Sequence, residues 1–184
     1  MTWANAENIG SKSFTCGFCG NLIASGLGFR NPTAQTWKVF ICSHCNKPTF
    51  FDGDRQLPGV SPGNSVLHLP VDIESLYTEA RNCVAASCYT AAVLVCRKLL
   101  MNIGVAEGAQ AGETFVKYVE YLAAKGYVPP NGQGWVDHIR KKGNEANHEI
   151  ALMSKTDADE LVLFIEMLLK LMYEFPNKIP APST

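Results

Sequence analysis

The chain has 184 residues, a formal net charge of −1 and 47% hydrophobic residues. That length supports one well-buried core plus a small satellite, and the near-neutral balance excludes a protein that holds nucleic acid by bulk charge alone. The longest apolar stretch, Leu161–Met172, is short and interrupted by Glu166 and Lys170, so no membrane span is predicted and a cytoplasmic protein is expected.

The charge is uneven: residues 1–50 set Lys12, Arg30, Lys38 and Lys47 against Glu7 alone, and the acids gather further on. Residues 1–13 are polar and read as loose. From Phe14 to Phe51 come two Cys-x-x-Cys pairs, Cys16/Cys19 and Cys42/Cys45, separated by 22 residues. The alternation Thr36-Trp37-Lys38-Val39-Phe40-Ile41 ahead of the second pair predicts a strand. Each pair delivers two thiolates from one turn, and four thiolates complete a tetrahedral Zn2+ site, so one structural zinc per chain is expected, held by Cys16, Cys19, Cys42 and Cys45. Redox-active Cys-x-x-Cys is the alternative; two pairs in one small module favour metal. His44 is read as a surface residue beside the ligands, and Cys83, Cys88 and Cys96 as ordinary buried thiols. Phe18, Arg30, Trp37, Lys38 and Lys47 suit a basic, aromatic nucleic-acid surface, or else the aromatic residues form the module's own small core.

Residues 52–69 are dense in Gly and Pro and read as a linker, dividing a zinc ribbon (1–51) from a helical domain (70–176) and a tail (177–184). Helical periodicity starts with Asp72 as a cap and runs to about Ala86, resumes over Ala91–Ile103 until Gly104, and again over Thr114–Lys125 until Gly126. A fourth segment covers 133–150, and a fifth, capped by Thr156 or Asp157, runs to Pro176. Five helices with short connections predict a mainly α fold, an antiparallel helical bundle behind a small N-terminal β zinc ribbon. Glu79 and Arg97, near the apolar faces of the first two helices, are candidates to pair across them.

The segment Ile139-Arg-Lys-Lys-Gly-Asn-Glu-Ala-Asn-His-Glu-Ile150 holds the candidate reaction chemistry. In one straight helix Arg140, Asn144 and His148 share a face, but the Arg and His backbones lie about 12 Å apart. A break at Gly143-Asn144 brings Arg140 or Lys142 back toward His148. A His of near-neutral pKa can then take a proton from an RNA 2′-hydroxyl, Arg can stabilise charge on the phosphate, and Asn can orient it. The other reading of the same residues is structural: Asn144 caps a helix, His148 makes a buried hydrogen bond, and Arg140, Lys141 and Lys142 form a solvated helix end.

The run LPVDIESLYTEARNCVAASCYTAAVLVCRKLL, then HIRKKGNEANHEI, then TDADELVLFIEMLLKLMYEFP resembles the bacterial domain-of-unknown-function family 4145. The CGFC and CSHCNKPTF knuckles look like the zinc ribbon that often precedes it. The resemblance implies a HEPN-like helical domain, a homodimer, and RNA-associated work in defence or stress response. It also implies metal-independent endoribonuclease chemistry at His148, Arg140 and Asn144, with Lys142 as a further cation, or a catalytically inactive adaptor binding protein or nucleic acid. The family motif separates Arg from His by four to six residues; here seven intervene, and Gly143 stands where the Arg is usual.

Overall fold

The computed structural model describes residues 2–128 and 152–178, with the isolated positions 134, 137 and 139. The chain divides into two compact units, Met1–Ser61 with Ala85–Ser87 and Pro62–Val84 with Cys88–Thr184.

The first unit is a five-stranded antiparallel meander in sequence order: β1 (Glu7–Thr15), β2 (Leu22–Arg30), β3 (Trp37–Ile41), β4 (Pro48–Asp52) and β5 (Arg55–Leu57). Its core is aromatic. Phe14, Phe40 and Phe51 come from β1, β3 and β4 and meet edge to face, with Phe51 5.1 Å from Phe14 and 5.8 Å from Phe40 between ring centroids. Sheet closure needs a glycine at position 28, because a Cβ there would lie 1.9 Å from the Val39 carbonyl oxygen. The β1–β2 register slips between Asn8, opposite Leu27, and Lys12, opposite Ser25. Gly10 absorbs that slip at φ +89°, a left-handed conformation costly for other residues.

Two features of this unit differ from the sequence reading. Glu7 to Ser13, expected to be loose, belongs to a nine-residue strand, since Ile9 and Phe14 have a sheet face to cover. Trp3 is held as well, its ring edge-on to Phe29 at 6.3 Å and its indole N–H donating to the Asn46 carbonyl at 3.0 Å. Arg55–Leu57, in the stretch read as linker, pairs with β4.

The second unit carries α1 (Val71–Ala85), α2 (Tyr89–Ala106), α3 (Phe115–Ala124), α4 (Lys155–Leu169), a π turn (Lys170–Glu174) and α5 (Phe175–Lys178). Helix α2 is the central element: Ala92, Cys96, Leu99, Leu100 and Ile103 are fully buried, and it runs beside α3 and α4. It is also the one described helix long and apolar enough to cross a membrane. It continues past Gly104, expected as its stop, because that glycine is where Tyr118 of α3 packs closest; a Cβ would come within 2.7 Å of the ring. Helix α4 starts two or three residues earlier than expected, with Ser154 as its cap in place of Thr156 or Asp157. Ser154 accepts from the Asp157 N–H, and Asp157 reaches back to the Ser154 N–H, a capping box that makes Asp157 its third residue.

The antiparallel helical bundle expected from periodicity is not what the described residues form. A substantial sheet and a separate set of helices make an α+β chain. Among the described residues, helix α1 does not run closely along another helix as α3 and α4 run along α2. Periodicity reports that a helix has a buried face and not which partner covers it. The cover here is partly non-helical: the Arg81 guanidinium donates to the carbonyls of Pro62 and Gly63, and the Tyr77 hydroxyl donates to that of Asn64. The 133–150 segment, which would supply the remaining helix, falls largely outside the described residues.

The same irregular stretch is tied to α4 and the π turn. The Asn64 backbone N–H and side-chain amide donate to the two oxygens of Glu166, at 3.0 and 3.1 Å, and the Leu67 N–H donates to Glu174. Lys170 and Lys178 pair with those two carboxylates. Both carboxyls sit below their ordinary range. For Glu166, burial pushes upward but is outweighed by Lys170 and Asn64; for Glu174, Lys178 is the main cause.

Candidate metal centre

The two Cys-x-x-Cys stretches fold into matching knuckles. In the first, Gly20 N–H donates to the Cys16 carbonyl at 2.8 Å and Cys16 N–H to the Asn21 carbonyl at 3.0 Å; in the second, Asn46 and Cys42 do the same toward Cys42 and Lys47, both at 2.9 Å. The residue four after the first cysteine is left-handed in each, Gly20 at φ +71° and Asn46 at φ +58°. Gly and Asn are the residues that accept this conformation most readily, so sequence already marked both turns. One knuckle precedes β2 and the other joins β3 to β4, and the meander brings them together.

All four thiols converge, with every Sγ within 4.8 Å of the others. Cys16 to Cys45 is 3.7 Å and Cys19 to Cys42 is 3.8 Å. Both exceed the roughly 2.05 Å of a disulfide. They match instead the separation of about 3.8 Å between donors at the corners of a tetrahedron with metal–sulfur bonds of about 2.3 Å. Backbone N–H groups of Phe18 and Cys45 point at the sulfurs of Cys16 and Cys42, each at 3.4 Å, which stabilises thiolate.

The electrostatics also favour a cation. Burial pushes the Cys16 thiol up, and it pushes Cys45 to about 12. At Cys19 burial acts upward too, but hydrogen bonds from Asn21 and the neighbouring thiols outweigh it and bring the group down to about 6. The Cys19 thiolate forms readily, while those of Cys16 and Cys45 need positive charge beside them. His44 is exposed, its Nδ1 3.2 Å from the Asn21 amide nitrogen, and is not one of the converging ligands.

Around this centre the residues expected to meet nucleic acid separate. Phe18 is 46% exposed and Lys47 places its ammonium 5.0 Å from that ring. Trp37 is also exposed, edge-on to Phe50, so the core is made by Phe14, Phe40 and Phe51 without it. Arg30 pairs with Glu7. Lys38 is half-buried.

The reaction residues read from sequence, Arg140, Lys142, Asn144 and His148, all lie outside the described residues. Arg97 makes no ion pair with Glu79. It is buried on α2 with its guanidinium 4.4 Å from the Phe115 ring, and one terminal nitrogen has no partner. Of the remaining cysteines Cys96 is buried, Cys83 half-buried and Cys88 exposed.

Compared with known proteins, residues 78–182 match the family described as Domain of unknown function (DUF4145), more than half of the chain. No curated protein and no solved structure matches.

Proposed function

We propose, since this chain belongs to the DUF4145 family, that it is a zinc-stabilised, RNA-associated protein of prokaryotic defence or stress response, working in the cytoplasm. Cys16, Cys19, Cys42 and Cys45 hold one zinc ion. Four protein ligands leave no open coordination position, so the metal stabilises a module too small to stand on its aromatic core alone. The observation that carries the RNA reading is the placement of Phe18 and Lys47. Phe18 lies inside the first knuckle and Lys47 just after the second, so the fold that gathers the thiols also sets a cation over an exposed ring. That pairing suits a stacked base with its phosphate nearby.

The HEPN-like reading assigns metal-independent cleavage to the family-matched segment, supported by His148 and Asn144, which fit the family motif, while Arg140 lies outside its usual spacing. His148 takes the 2′-hydroxyl proton, and the freed oxygen attacks the adjacent phosphorus. The bond to the 5′-oxygen breaks and that oxygen takes the proton back from His148, leaving a 2′,3′-cyclic phosphate and a 5′-hydroxyl. Arg140, with Lys142 near it, stabilises phosphate charge and Asn144 orients the group. A homodimer through the helical unit is supported by Leu163, Met167, Leu171 and Phe175, spaced four apart, which line a cavity of about 670 Å³ with Lys170 at its edge. The same groove favours the second reading, an inactive adaptor that docks a protein.

Incubating the zinc-loaded protein with single-stranded and structured RNA, without added divalent metal, tests both. Cyclic-phosphate ends that disappear in His148→Ala and Arg140→Ala are expected for the nuclease. Binding without cleavage across the RNA panel selects the adaptor, and absence of RNA binding refutes the RNA-associated reading.

A further inference from the structure

The first unit contains a second recess, of about 330 Å³, lined by Ile9 to Lys12 of the β1 bulge, Gln35, Thr36 and Lys38 before and on β3, and Gly53 beyond β4, with Phe40 and Phe51 beneath. Its cations are Lys12 and Lys38, both half-buried. The Lys12 ammonium sits 4.7 Å from the Phe51 ring centroid. Among the described residues no carboxylate lines the recess, and neither lysine forms an ion pair with one of them. Lys117, Lys155, Lys170 and Lys178 each have one. Asp52, the residue before Gly53, accepts a hydrogen bond from the Thr36 hydroxyl at 3.0 Å.

We propose that this recess is a phosphate-binding site, taking a phosphate mono- or diester of a nucleotide or of single-stranded RNA. Two half-buried lysines lining one cavity bring two positive charges to it, and an anion between them offsets their repulsion and accepts charge-assisted hydrogen bonds. Gln35 and Ser11 add neutral donors along the wall. The volume is at the lower end for ligand pockets, matching one nucleotide unit. Phe40 and Phe51 are almost fully buried, so the site recognises charge and shape and offers little stacking surface. The bulge creates it: without the register slip at Gly10, the β1 chain would lie flat against β2 and Lys12 would have no cavity to face.

The proposal deepens the RNA-associated reading but is separable from it. Labelled single-stranded oligouridylate is titrated by fluorescence anisotropy at several salt concentrations, and inorganic phosphate and adenosine monophosphate are titrated by amide NMR. For a single strand each phosphate contact contributes a log–log salt slope of about 0.7, so losing one lysine weakens binding about fivefold at 0.1 M salt. Lys12→Ala and Lys38→Ala are each expected to show that loss, Lys12→Arg and Lys38→Arg to retain binding, and Lys98→Ala, an exposed lysine on α2 that does not line the recess, to match the parent.

Shifts at Gly10–Lys12 and Gln35–Lys38 with phosphate or the monophosphate, and no oligomer binding, support the recess and identify a free nucleotide as the source. Oligomer binding unchanged in both Ala variants overturns the recess and leaves the RNA reading standing. No response at those amides to phosphate or to the monophosphate overturns it outright, as does an equal loss in Lys98→Ala.

Discussion

Glu166→Gln separates charge from shape at the anchor that holds Asn64. Glu166 is 6% exposed, and three donors converge on its two oxygens: the Asn64 N–H, the Asn64 amide and the Lys170 ammonium. Gln keeps the volume but offers one oxygen, and its own amide hydrogens then face a donor. One charge-assisted bond is lost outright and another weakened, at about 1.5–3 kcal/mol each, while Lys170, partly exposed, recovers some of this in water. The net loss expected at pH 7 is about 2–3 kcal/mol. The Glu166 pKa is depressed in the folded chain, so its contribution is fully present above the unfolded carboxyl value of about 4.3 and is lost as pH falls through the folded value. Urea unfolding followed at 222 nm should therefore show a gap between parent and variant at pH 7 that narrows as the pH falls below about 4.3. A gap of the same size above and below that pH would refute the charge argument and leave only packing.

Freshly purified protein is expected to contain one zinc per chain by metal analysis, and Cys16→Ser to lose it; substoichiometric metal in the parent contradicts the four-thiolate site. Removing the metal should also change the fluorescence of Trp3, whose indole is bonded to Asn46 of the second knuckle. Gly28→Ala must displace β3 by about 1.1 Å to relieve its contact with Val39, at a cost of about 2–3 kcal/mol or more. Gly53→Ala meets nothing within 4 Å and suffers only its φ of +58°, about 1–2 kcal/mol. Equal losses in thermal unfolding would show that the two glycines are retained for the same reason.

How much of this was legible in the sequence depended on the range of the interactions. The cysteine pairs were legible because a knuckle is local: ligand spacing, Gly20 and Asn46 are all written within six residues. Helix positions followed from periodicity, and Gly126 marked the end of α3. The bundle did not follow, because the stretch after Pro62 is secured by Arg81, Tyr77, Glu166 and Glu174, polar side chains whose partners lie up to 107 residues away and leave no periodic trace. Strand β1 was missed for a related reason. Its polar residues and Gly10 mask the inward positions Ile9 and Phe14, whose partners are on other strands. The lysine recess depends on a register slip, and register is a property of two strands together.

The π turn at Lys170–Glu174 has a consequence for chain length. An i→i+5 closure takes about one residue more per turn than an α-helical one, so a single residue could be deleted here and the turn would tighten to α geometry, leaving α5 aimed as before. A deletion within α2 or α4 has no such slack and would rotate everything beyond it by about 100°. Among homologous chains, single-residue gaps in the helical unit should therefore fall at this turn, where the cost is confined to re-registering Glu174 with the Leu67 amide.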